Sequence, residues 1–354
     1  MKLMNIFSAA LAVLALAVSP ACSDNDNATP QEAPVYDMTG FARGADVSWL
    51  TEMEAAGYKW YSKSGSETEC LTLLRQMGLN SVRLRVWVDP EKGWCGKDDV
   101  IAKAWRAQQL GFRIMIDFHY SDTWADPGTQ SVPAAWQGYD IDQLRTAVAA
   151  HTTEVLSALK DRGIDVEWVQ VGNETPDGFL WELGRASTHP DNFAALVNAG
   201  YDAVKGVYPD AVVIVHVDKG DNLGRHQWLF DTLKAHGGKW DCIGMSLYPS
   251  DDDWETLVAN CLSNISTLSS RYGCKVILSE IGMDYNSPNA SAFVSRIYIG
   301  ARPLSACLGV FYWEPECYSW NSYNKGAFNT DGTPTDALDA FAPLKPGMDY
   351  TEAL

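Results

Sequence analysis

Positive charge is scarce in this chain of 354 residues, in which 27 lysines and arginines stand against 45 aspartates and glutamates. The formal net charge of −18 repels the phosphates of nucleic acids and of anionic lipid surfaces, so neither is an expected partner. A neutral ligand is unaffected by that field. The negative net charge therefore favours an uncharged partner.

Motifs for phosphate, zinc and calcium are also missing. No strand-like segment is followed by a GxGxxG or Walker sequence, and no two of the eight cysteines form a CxxC pair. The acidic stretches at 251–253 and 329–336 do not match the EF-hand pattern. We expect no cofactor and no metal in the chemistry. A structural calcium ion is conceivable at these loops but is not expected.

The first 38 residues differ in character from the rest. An apolar run too short to span a membrane ends in small residues before Cys22, and a polar, acidic, proline-containing segment follows. This pattern predicts a lipoprotein-type signal peptide over residues 1–21, lipidation of Cys22 and a flexible tether over 22–38. It predicts a lipoprotein of the outer membrane or cell surface. Residues 19–21 lack the usual lipobox leucine, so a secreted or periplasmic protein is the alternative.

Seven cysteines follow Cys22. Export permits disulfides, but an odd number leaves at least one thiol free. Pairing of Cys261 with Cys274, or of Cys307 with Cys317, would close a short loop, and geometry must decide between these and other pairings. The seven residues are Cys70, Cys95, Cys242, Cys261, Cys274, Cys307 and Cys317.

Strand-like and helix-like segments alternate from residue 41 onward. Apolar, β-branched runs predict eight strands, over residues 41–48, 81–87, 113–120, 166–173, 211–218, 240–248, 275–282 and 308–315. Amphipathic segments, several ending in glycine, predict helices over 68–78, 98–111, 142–163, 193–209, 226–238, 254–273 and 293–302, and a short one from 336.

This strict alternation favours a single-domain (β/α)8 TIM barrel over residues 39–345, with a C-terminal tail over 346–354. A doubly wound open sheet is the alternative, but it usually carries the glycine-rich phosphate turn that is absent here.

Two glutamates stand at the ends of predicted strands. Glu174 follows strand four in VQVGNE, and Glu280 lies near the end of strand seven in VILSEIG. Strands four and seven face each other across the barrel mouth, where active sites of this fold lie. Two opposed carboxyl groups are the machinery of glycoside hydrolysis, one as proton donor and the other as nucleophile. Structural ion pairs with Arg83 or Arg85 are the alternative.

Other polar and aromatic residues accompany these glutamates. The 14 tryptophans and 15 tyrosines suit a cleft that stacks on sugar rings. Asp117 precedes His119 by two positions on strand three, and we expect Asp117 to pair with Arg85. The two histidines His119 and His216 lack the spacing of metal ligands, so satisfied interior positions are favoured over a metal site.

Seven motifs in fixed order carry a family resemblance: GADVSWL, SVRLRVWVDP, DFHYSDTWADP, VGNE, MSLYP, SEIG and FYWEP. Together they resemble family 53 of the glycoside hydrolases, the endo-β-1,4-galactanases, within the large clan of (β/α)8 retaining glycosidases. The resemblance extends from about residue 41 to about residue 341. Some members bind calcium in a long loop after strand seven, whereas only MDYNSPN follows that strand here.

The resemblance implies an endo-acting enzyme that cleaves β-1,4-galactan, the side chain of pectic type I arabinogalactan, with retention. We expect a monomer, the default for a tethered enzyme that cuts a polymer. Two alternatives stay open. One is another endo-glycanase of the same clan, acting on mannan, xylan or glucan. The other is a glycan-binding surface lipoprotein without catalysis, a class that has no need of two opposed glutamates.

The resemblance also implies roles for single residues. Glu174 is the general acid/base, Glu280 is the nucleophile, and Asn173 hydrogen-bonds the sugar 2-hydroxyl. Arg83 lies under the nucleophile and holds it ionised. Tyr248 donates a hydrogen bond to Glu280.

Further residues are implied to contact the substrate. Trp313 forms the floor on which the reacting sugar stacks, and Trp87 and His119 line the neighbouring glycone side. The remaining expected cleft contacts are Trp124, His216 and Asp218.

Overall fold

Eight parallel strands close into a barrel in a computed structural model that describes residues 36–342. The strand order follows the chain, and β1 pairs with both β2 and β8 to close the ring. The strands are β1 Ala42–Asp46, β2 Ser81–Val86, β3 Arg113–Phe118, β4 Trp168–Val171, β5 Val212–Val217, β6 Cys242–Leu247, β7 Lys275–Ile281 and β8 Cys307–Trp313. The predicted TIM barrel is confirmed, and each strand overlaps the range predicted for it.

Helices cover the outside of the barrel in the described part of the chain. They are α1 Leu50–Ala55, α2 Cys70–Gln76, α3 Lys97–Gln109, α4 Ile141–Asp161, α5 Pro190–Val207, α6 Leu223–Ala235, α7 Trp254–Tyr272 and α8 Ala290–Ala301. The helix predicted from residue 336 is a 3₁₀ helix, Asp336–Phe341. None of the helices in residues 36–342 has the length and apolarity needed to cross a membrane.

The connection between β1 and β2 is more elaborate than predicted. It contains α1 and a two-stranded antiparallel pair, Trp60–Tyr61 with Glu67–Thr68, before α2 begins. These pieces have two to six residues, too few to show a helical or a strand period in the sequence. The signal peptide, Cys22, most of the tether and all of the C-terminal tail lie outside the described residues.

The barrel interior changes character along the strands. Near its N-terminal end a small apolar layer fills it, formed by Ala42, Met115, Trp168, Ile214, Cys242, Ile277 and Phe311. Because side chains two positions apart share a face, the next inward residues on β3, β4 and β5 are Asp117, Gln170 and His216. All three are fully buried and polar. Apolar packing thus closes one end of the barrel and leaves hydrogen-bonding groups at the other.

The seven cysteines after Cys22 are all free thiols. Neither of the two short-loop pairings considered from the sequence is formed. Burial raises the pKa of the Cys307 thiol to about 12, and it also raises the pKa of Cys242 well above the usual value. These thiols stay protonated and serve as small apolar side chains.

Gly309 on β8 lies where no side chain fits. An added Cβ would stand 2.3 Å from Ala42 Cβ and 2.6 Å from the Ala42 carbonyl oxygen on the neighbouring strand. We expect Gly309→Ala to lower the free energy of unfolding by about 1–3 kcal/mol or more, because the clashing atoms belong to the barrel wall. Chemical denaturation followed by circular dichroism measures this.

The matched control is Gly206→Ala in α5. Gly206 is exposed, and an added Cβ there meets no atom within 4 Å. Alanine should stabilise this helix by about 0.5–1 kcal/mol, since glycine is the poorer helix former. Equal effects of the two substitutions would contradict the packing argument.

Candidate active site

The turn after β4 aims two side chains at the barrel mouth. Gly172 has φ +82° and Glu174 has φ +42°, so left-handed residues flank Asn173 on both sides. A non-glycine residue in this region is strained and needs support from its surroundings. The side chain of Gln130 supplies part of it, because its Nε2 donates to the carbonyl oxygens of Asn173 at 2.9 Å and of Glu174 at 3.0 Å. Gln130 was not among the site residues predicted from the sequence.

A β-bulge in β7 points Glu280 inward. Met245 of β6 is paired with Leu278, but the next residue, Ser246, is paired with Glu280, so β7 holds one extra residue at this point. Ile277 faces the barrel interior, and strict alternation from it would turn Glu280 outward. The bulge reverses that direction, a role that bulges often have next to active sites.

Between the two glutamates lies a cavity of about 260 Å³, which we call the catalytic cavity. Seven of its nine lining residues were predicted for the site from the sequence. They are His119, Trp124, Asn173, Glu174, Tyr248, Glu280 and Trp313, and the other two are Ala125 and Asp126. The rings of Trp313 and Trp124 stand 5.9 Å apart and form an aromatic wall.

Arg83 is the buried cation beneath this cavity. Its Nη1 donates to Asp46 at 2.7 Å, and its Nη2 lies 2.8 Å from Asn173 Oδ1, 2.9 Å from Asp117 Oδ2 and 2.9 Å from Glu280 Oε1. Burial acts to lower the pKa of Arg83, but the three carboxylates raise it on balance. The guanidinium therefore stays charged and holds Asn173 and Glu280 in fixed positions.

The predicted pairing of Asp117 with Arg85 is wrong. Asp117 pairs with Arg83, whereas Arg85 forms its ion pair with Glu314, in the turn after β8. Arg85 lies directly beside Asp117 on the neighbouring strand. Adjacency in the sheet therefore does not by itself determine which arginine pairs with Asp117. Its guanidinium also faces the rings of three tryptophans, at 5.2 Å from Trp49, 5.3 Å from Trp87 and 4.3 Å from Trp124. Arg85 thereby supports the aromatic wall from below.

His119 is fixed as one neutral tautomer by its neighbours. The indole N–H of Trp87 and the backbone N–H of Ala125 both point at its Nδ1, at 3.2 and 3.1 Å. Nδ1 is therefore an acceptor, and Nε2 donates to Asp117 Oδ2 at 3.0 Å. Trp87 itself does not line the catalytic cavity. It contributes to the site through its hydrogen bond to His119, which does line the cavity.

Two expected cleft contacts lie elsewhere. His216 is fully buried below the cavity, where its Nε2 lies 2.7 Å from Ser246 Oγ and its Nδ1 lies 3.3 Å from the backbone nitrogen of Glu174. Asp218 is nearly buried and forms an ion pair with Arg225, at 2.7 Å. Neither residue lines the catalytic cavity. Both residues lie at the end of β5, as predicted. The groups that their side chains contact were not predicted from the sequence.

The carboxyl groups of Glu174 and Glu280 differ in environment. Burial raises the pKa of Glu174 well above its ordinary value, and the negative charge of Glu280 raises it further. Burial also raises the pKa of Glu280, to about 7, although Arg83 and Tyr248 act to lower it. Arg83 thus favours the ionised form of Glu280, but burial outweighs its effect on the pKa. Glu280 loses its proton first, and Glu174 keeps one as the pair titrates.

No group of three or more His, Cys, Asp or Glu side chains in residues 36–342 is arranged to hold a metal ion. Asp251, in the acidic stretch considered for calcium, accepts hydrogen bonds from Ser287 and Asn289. Asp331, in the second stretch, accepts two from Thr333. The absence of calcium stays a prediction.

A larger groove of about 700 Å³ lies along α4, away from the two glutamates. Its carboxylates are already engaged, since Asp142 pairs with Arg145 and Glu154 with Lys97. The smaller catalytic cavity is where two opposed carboxyl groups and aromatic rings converge.

A closed (β/α)8 barrel with two opposed carboxyl groups at its strand ends is the arrangement that glycoside hydrolysis requires. The profile of Glycosyl hydrolase family 53 matches residues 42–298, and the chain belongs to this family. The resemblance seen in the sequence motifs is confirmed, and so is the assignment as a glycosidase.

Relatives agree with this family. A probable arabinogalactan endo-β-1,4-galactanase A from Neosartorya fischeri is 33% identical over 301 residues, which cover 77% of this chain and 83% of that protein. An uncharacterized protein in the bgaB 5′ region of Niallia circulans is 36% identical over 349 residues, covering 87% of this chain and 94% of that one. Among solved structures, that of fungal β-1,4-galactanases superposes with a TM-score of 0.79 at 28% identity, covering 86% of this chain and 99% of the other.

The hydroxyl of Tyr248 donates to Glu280 Oε2 at 2.8 Å and so favours the ionised form of Glu280. In Tyr248→Phe this donor is lost, and the pKa of Glu280 rises. Because the active form needs Glu280 ionised, the acidic limb of the kcat/KM profile should move to higher pH. A hydrogen bond to a charged group implies a loss in kcat/KM of about 10- to 100-fold.

The control is Tyr312→Phe on β8, which removes a buried hydroxyl that donates to the Gly326 carbonyl, at 3.1 Å. It should lose stability but keep the wild-type pH profile. An unmoved acidic limb in Tyr248→Phe would show that this hydrogen bond does not tune the nucleophile.

Proposed function

We propose that this protein is an endo-acting β-1,4-galactanase that cleaves galactan by double displacement with retention of configuration. The observation that carries the reaction type is the pair of opposed carboxyl groups, of which Glu280 is held by Arg83 and Tyr248 and Glu174 has the more strongly raised pKa. The substrate rests on family membership and on relatives named as arabinogalactan endo-β-1,4-galactanases.

In the first step, a carboxylate oxygen of Glu280 attacks the anomeric carbon and forms a galactosyl ester. The bond between that carbon and the glycosidic oxygen breaks, and the proton of Glu174 passes to the leaving oxygen. As Glu280 loses its negative charge, Arg83 and Tyr248 lose an ionic partner. The same two contacts therefore favour the return of Glu280 as a carboxylate in the second step.

In the second step, Glu174 acts as a base and takes a proton from water, whose oxygen attacks the anomeric carbon. The ester bond to Glu280 breaks, and both carboxyl groups return to their starting states. Two inversions at one carbon give net retention. No step requires a metal or a cofactor, and we propose that the enzyme uses none.

Asn173 has one free donor for the substrate. Its Oδ1 accepts from Arg83 at 2.8 Å, and its Nδ2 donates one of two hydrogens to the Ala125 carbonyl at 2.8 Å. The second Nδ2 hydrogen is the group that we propose binds the sugar 2-hydroxyl. We place the reacting sugar against Trp313, with His119 and Trp124 toward the glycone side.

A mannanase, xylanase or glucanase would use the same carboxyl groups, so the substrate needs a direct test. Wild type and Glu280→Ala are compared on linear β-1,4-galactan, mannan, xylan and glucan by reducing-end release and product size. We expect rapid fragmentation of galactan alone, lost in the variant. Cleavage of another glycan would change the substrate and leave the carboxyl roles intact. Binding of galactan without cleavage would support the non-catalytic glycan-binding alternative.

The roles of the two glutamates are separated by azide rescue on an activated aryl β-galactobioside. In Glu280→Ala, azide should attack from the vacated face and yield the α-azide, whereas in Glu174→Ala it should attack the galactosyl ester and yield the β-azide. Proton and carbon NMR assign the anomers. The control Glu182→Ala removes an exposed glutamate paired with Arg185 and should keep full activity. Exchanged anomers would reverse the assignment.

We also propose that the protein is exported as a monomer and anchored through a lipid on Cys22 at the outer membrane or cell surface. The support for export and for the anchor is the sequence pattern of the first 38 residues alone, and a monomer is the default for a tethered enzyme that cuts a polymer. In Cys22→Ser, labelling by an alkyne fatty-acid analogue should vanish and the protein should leave the membrane fraction. Cys274→Ser, which replaces a partly exposed free thiol, is the control and should stay labelled. Unchanged labelling of Cys22→Ser would favour the secreted or periplasmic alternative.

A further inference from the structure

Gln130 lies against the turn that carries Glu174, and only 2% of its surface is exposed. A tight turn in the loop after β3 brings it there. Asp126 and Thr129 exchange two backbone hydrogen bonds, at 2.9 and 3.0 Å, and Asp126 Oδ1 accepts from the Gly128 nitrogen at 2.8 Å. The local sequence Asp-Pro-Gly-Thr favours such a turn. The loop therefore reverses direction just after the residues that line the catalytic cavity.

The side-chain amide of Gln130 joins two segments of the site. Its Nε2 lies 3.0 Å from the carbonyl oxygen of Asp126, 2.9 Å from that of Asn173 and 3.0 Å from that of Glu174. Carbonyl oxygens only accept hydrogen bonds, so the atom that faces them is the amide nitrogen, and its two hydrogens are shared among the three. Gln130 thus connects the loop after β3, which lines the catalytic cavity through Asp126, to the turn after β4.

The turn after β4 depends on this amide. Within residues 36–342, the carbonyl oxygens of Asn173 and Glu174 accept no hydrogen bond from any other group. Glu174 has the left-handed φ of +42°, a strained conformation that persists only where its surroundings hold it. The Glu174 side chain leaves from this backbone. Without the amide, its carboxyl group would no longer be held in one direction.

We propose that Gln130 is a positioning residue that fixes the direction in which the Glu174 carboxyl group points at the glycosidic bond. This inference rests on the proposed role of Glu174 as the general acid/base. Asn173 depends less on Gln130, because Arg83 and the Ala125 carbonyl also hold its side chain, each at 2.8 Å. Loss of the amide should therefore impair proton transfer more than binding of the sugar 2-hydroxyl.

Gln130 acts through its N–H groups and takes no part in making or breaking bonds. Its Oε1 is buried and has no hydrogen-bond partner in the described part of the chain. The acid proton passes from Glu174 to the leaving oxygen and a water proton returns to Glu174, while both amide hydrogens stay on Gln130. An apolar side chain of similar size would remove these donors and leave every ionisable group of the site in place.

The test is Gln130→Met, assayed on aryl β-galactobiosides with a poor leaving group (phenol) and a good one (2,4-dinitrophenol). We expect kcat/KM for the phenyl substrate to fall about 10- to 100-fold, because its departure needs a proton from a correctly placed acid. The dinitrophenyl group leaves without a proton, so kcat/KM for that substrate should be nearly unaffected.

The second step of the reaction gives an independent readout. Water needs Glu174 as its base, so kcat for the dinitrophenyl substrate, limited by hydrolysis of the galactosyl ester, should fall. Azide needs no base, and it should restore this kcat and yield the β-azide, as expected for Glu174→Ala. A substitution that only loosened the fold would not respond to azide.

Gln108→Met serves as the matched control. Gln108 also joins two backbone segments through its amide, since its Nε2 donates to the Gly163 carbonyl and its Oε1 accepts from the Asp165 nitrogen, both at 2.7 Å. None of these three residues lines the catalytic cavity. The control variant should lose stability and keep wild-type kinetics with both aryl substrates.

A second variant, Gln130→Glu, keeps the shape of the side chain. Burial favours the protonated carboxyl group, which retains one donor in place of two. It should give a smaller effect than Gln130→Met in the same direction, and it takes the place of that variant should Gln130→Met fail to fold.

Equal losses with the two aryl substrates, full activity of the Gln130 variants, or absence of rescue by azide would overturn the positioning role. That result differs from failure of the proposed function. If wild type does not hydrolyse galactan or the galactobiosides at all, the glycosidase function proposed for Glu174 fails before Gln130 is tested.

Discussion

The ionic contacts of Arg83 are the interaction on which the site depends. One guanidinium, buried inside the barrel, binds the carboxylates of Asp46, Asp117 and Glu280 and the amide oxygen of Asn173. Removing a buried cation from such a cluster would leave uncompensated negative charge, which is far more costly than losing one surface ion pair. The cluster therefore links the strand that carries Glu280 to the turn that carries Asn173 and Glu174. Stability and catalytic geometry rest here on the same contacts.

Burial and hydrogen bonding give the carboxyl groups of the two glutamates different tendencies to ionise. Both carboxyl groups lie in a site that disfavours charge, so both pKa values are raised. Arg83 and Tyr248 offset this for Glu280, whereas Glu174 receives less compensation and the added repulsion of Glu280. The result is that two identical side chains differ in how readily they ionise. A second arginine, Arg85, acts differently, because it binds Glu314 and supports the tryptophans of the aromatic wall.

Much of this arrangement could be predicted from local sequence. Alternating strand and helix patterns predicted the eight strands, and the motifs around Glu174 and Glu280 predicted the pair of carboxyl groups and the family. Seven of the predicted residues line the catalytic cavity. Gln130, Gln170 and Ser246 were not predicted. The local sequence around a buried amide or hydroxyl does not show whether that group will hydrogen-bond to site residues or only fill space in the core. The short elements between β1 and β2 were missed for lack of a repeating pattern.

The sequence by itself determined which side chains arrive at the C-terminal ends of the strands, since period and chain order are local properties. Only the tertiary structure decided how they face one another. The bulge in β7 turns Glu280 inward, two left-handed residues aim Asn173 and Glu174, and Arg83 rather than Arg85 binds Asp117. Each of these three features depends on the register and closure of all eight strands. Long side chains inside a barrel contact residues of other strands across the interior, and these residues are distant in sequence.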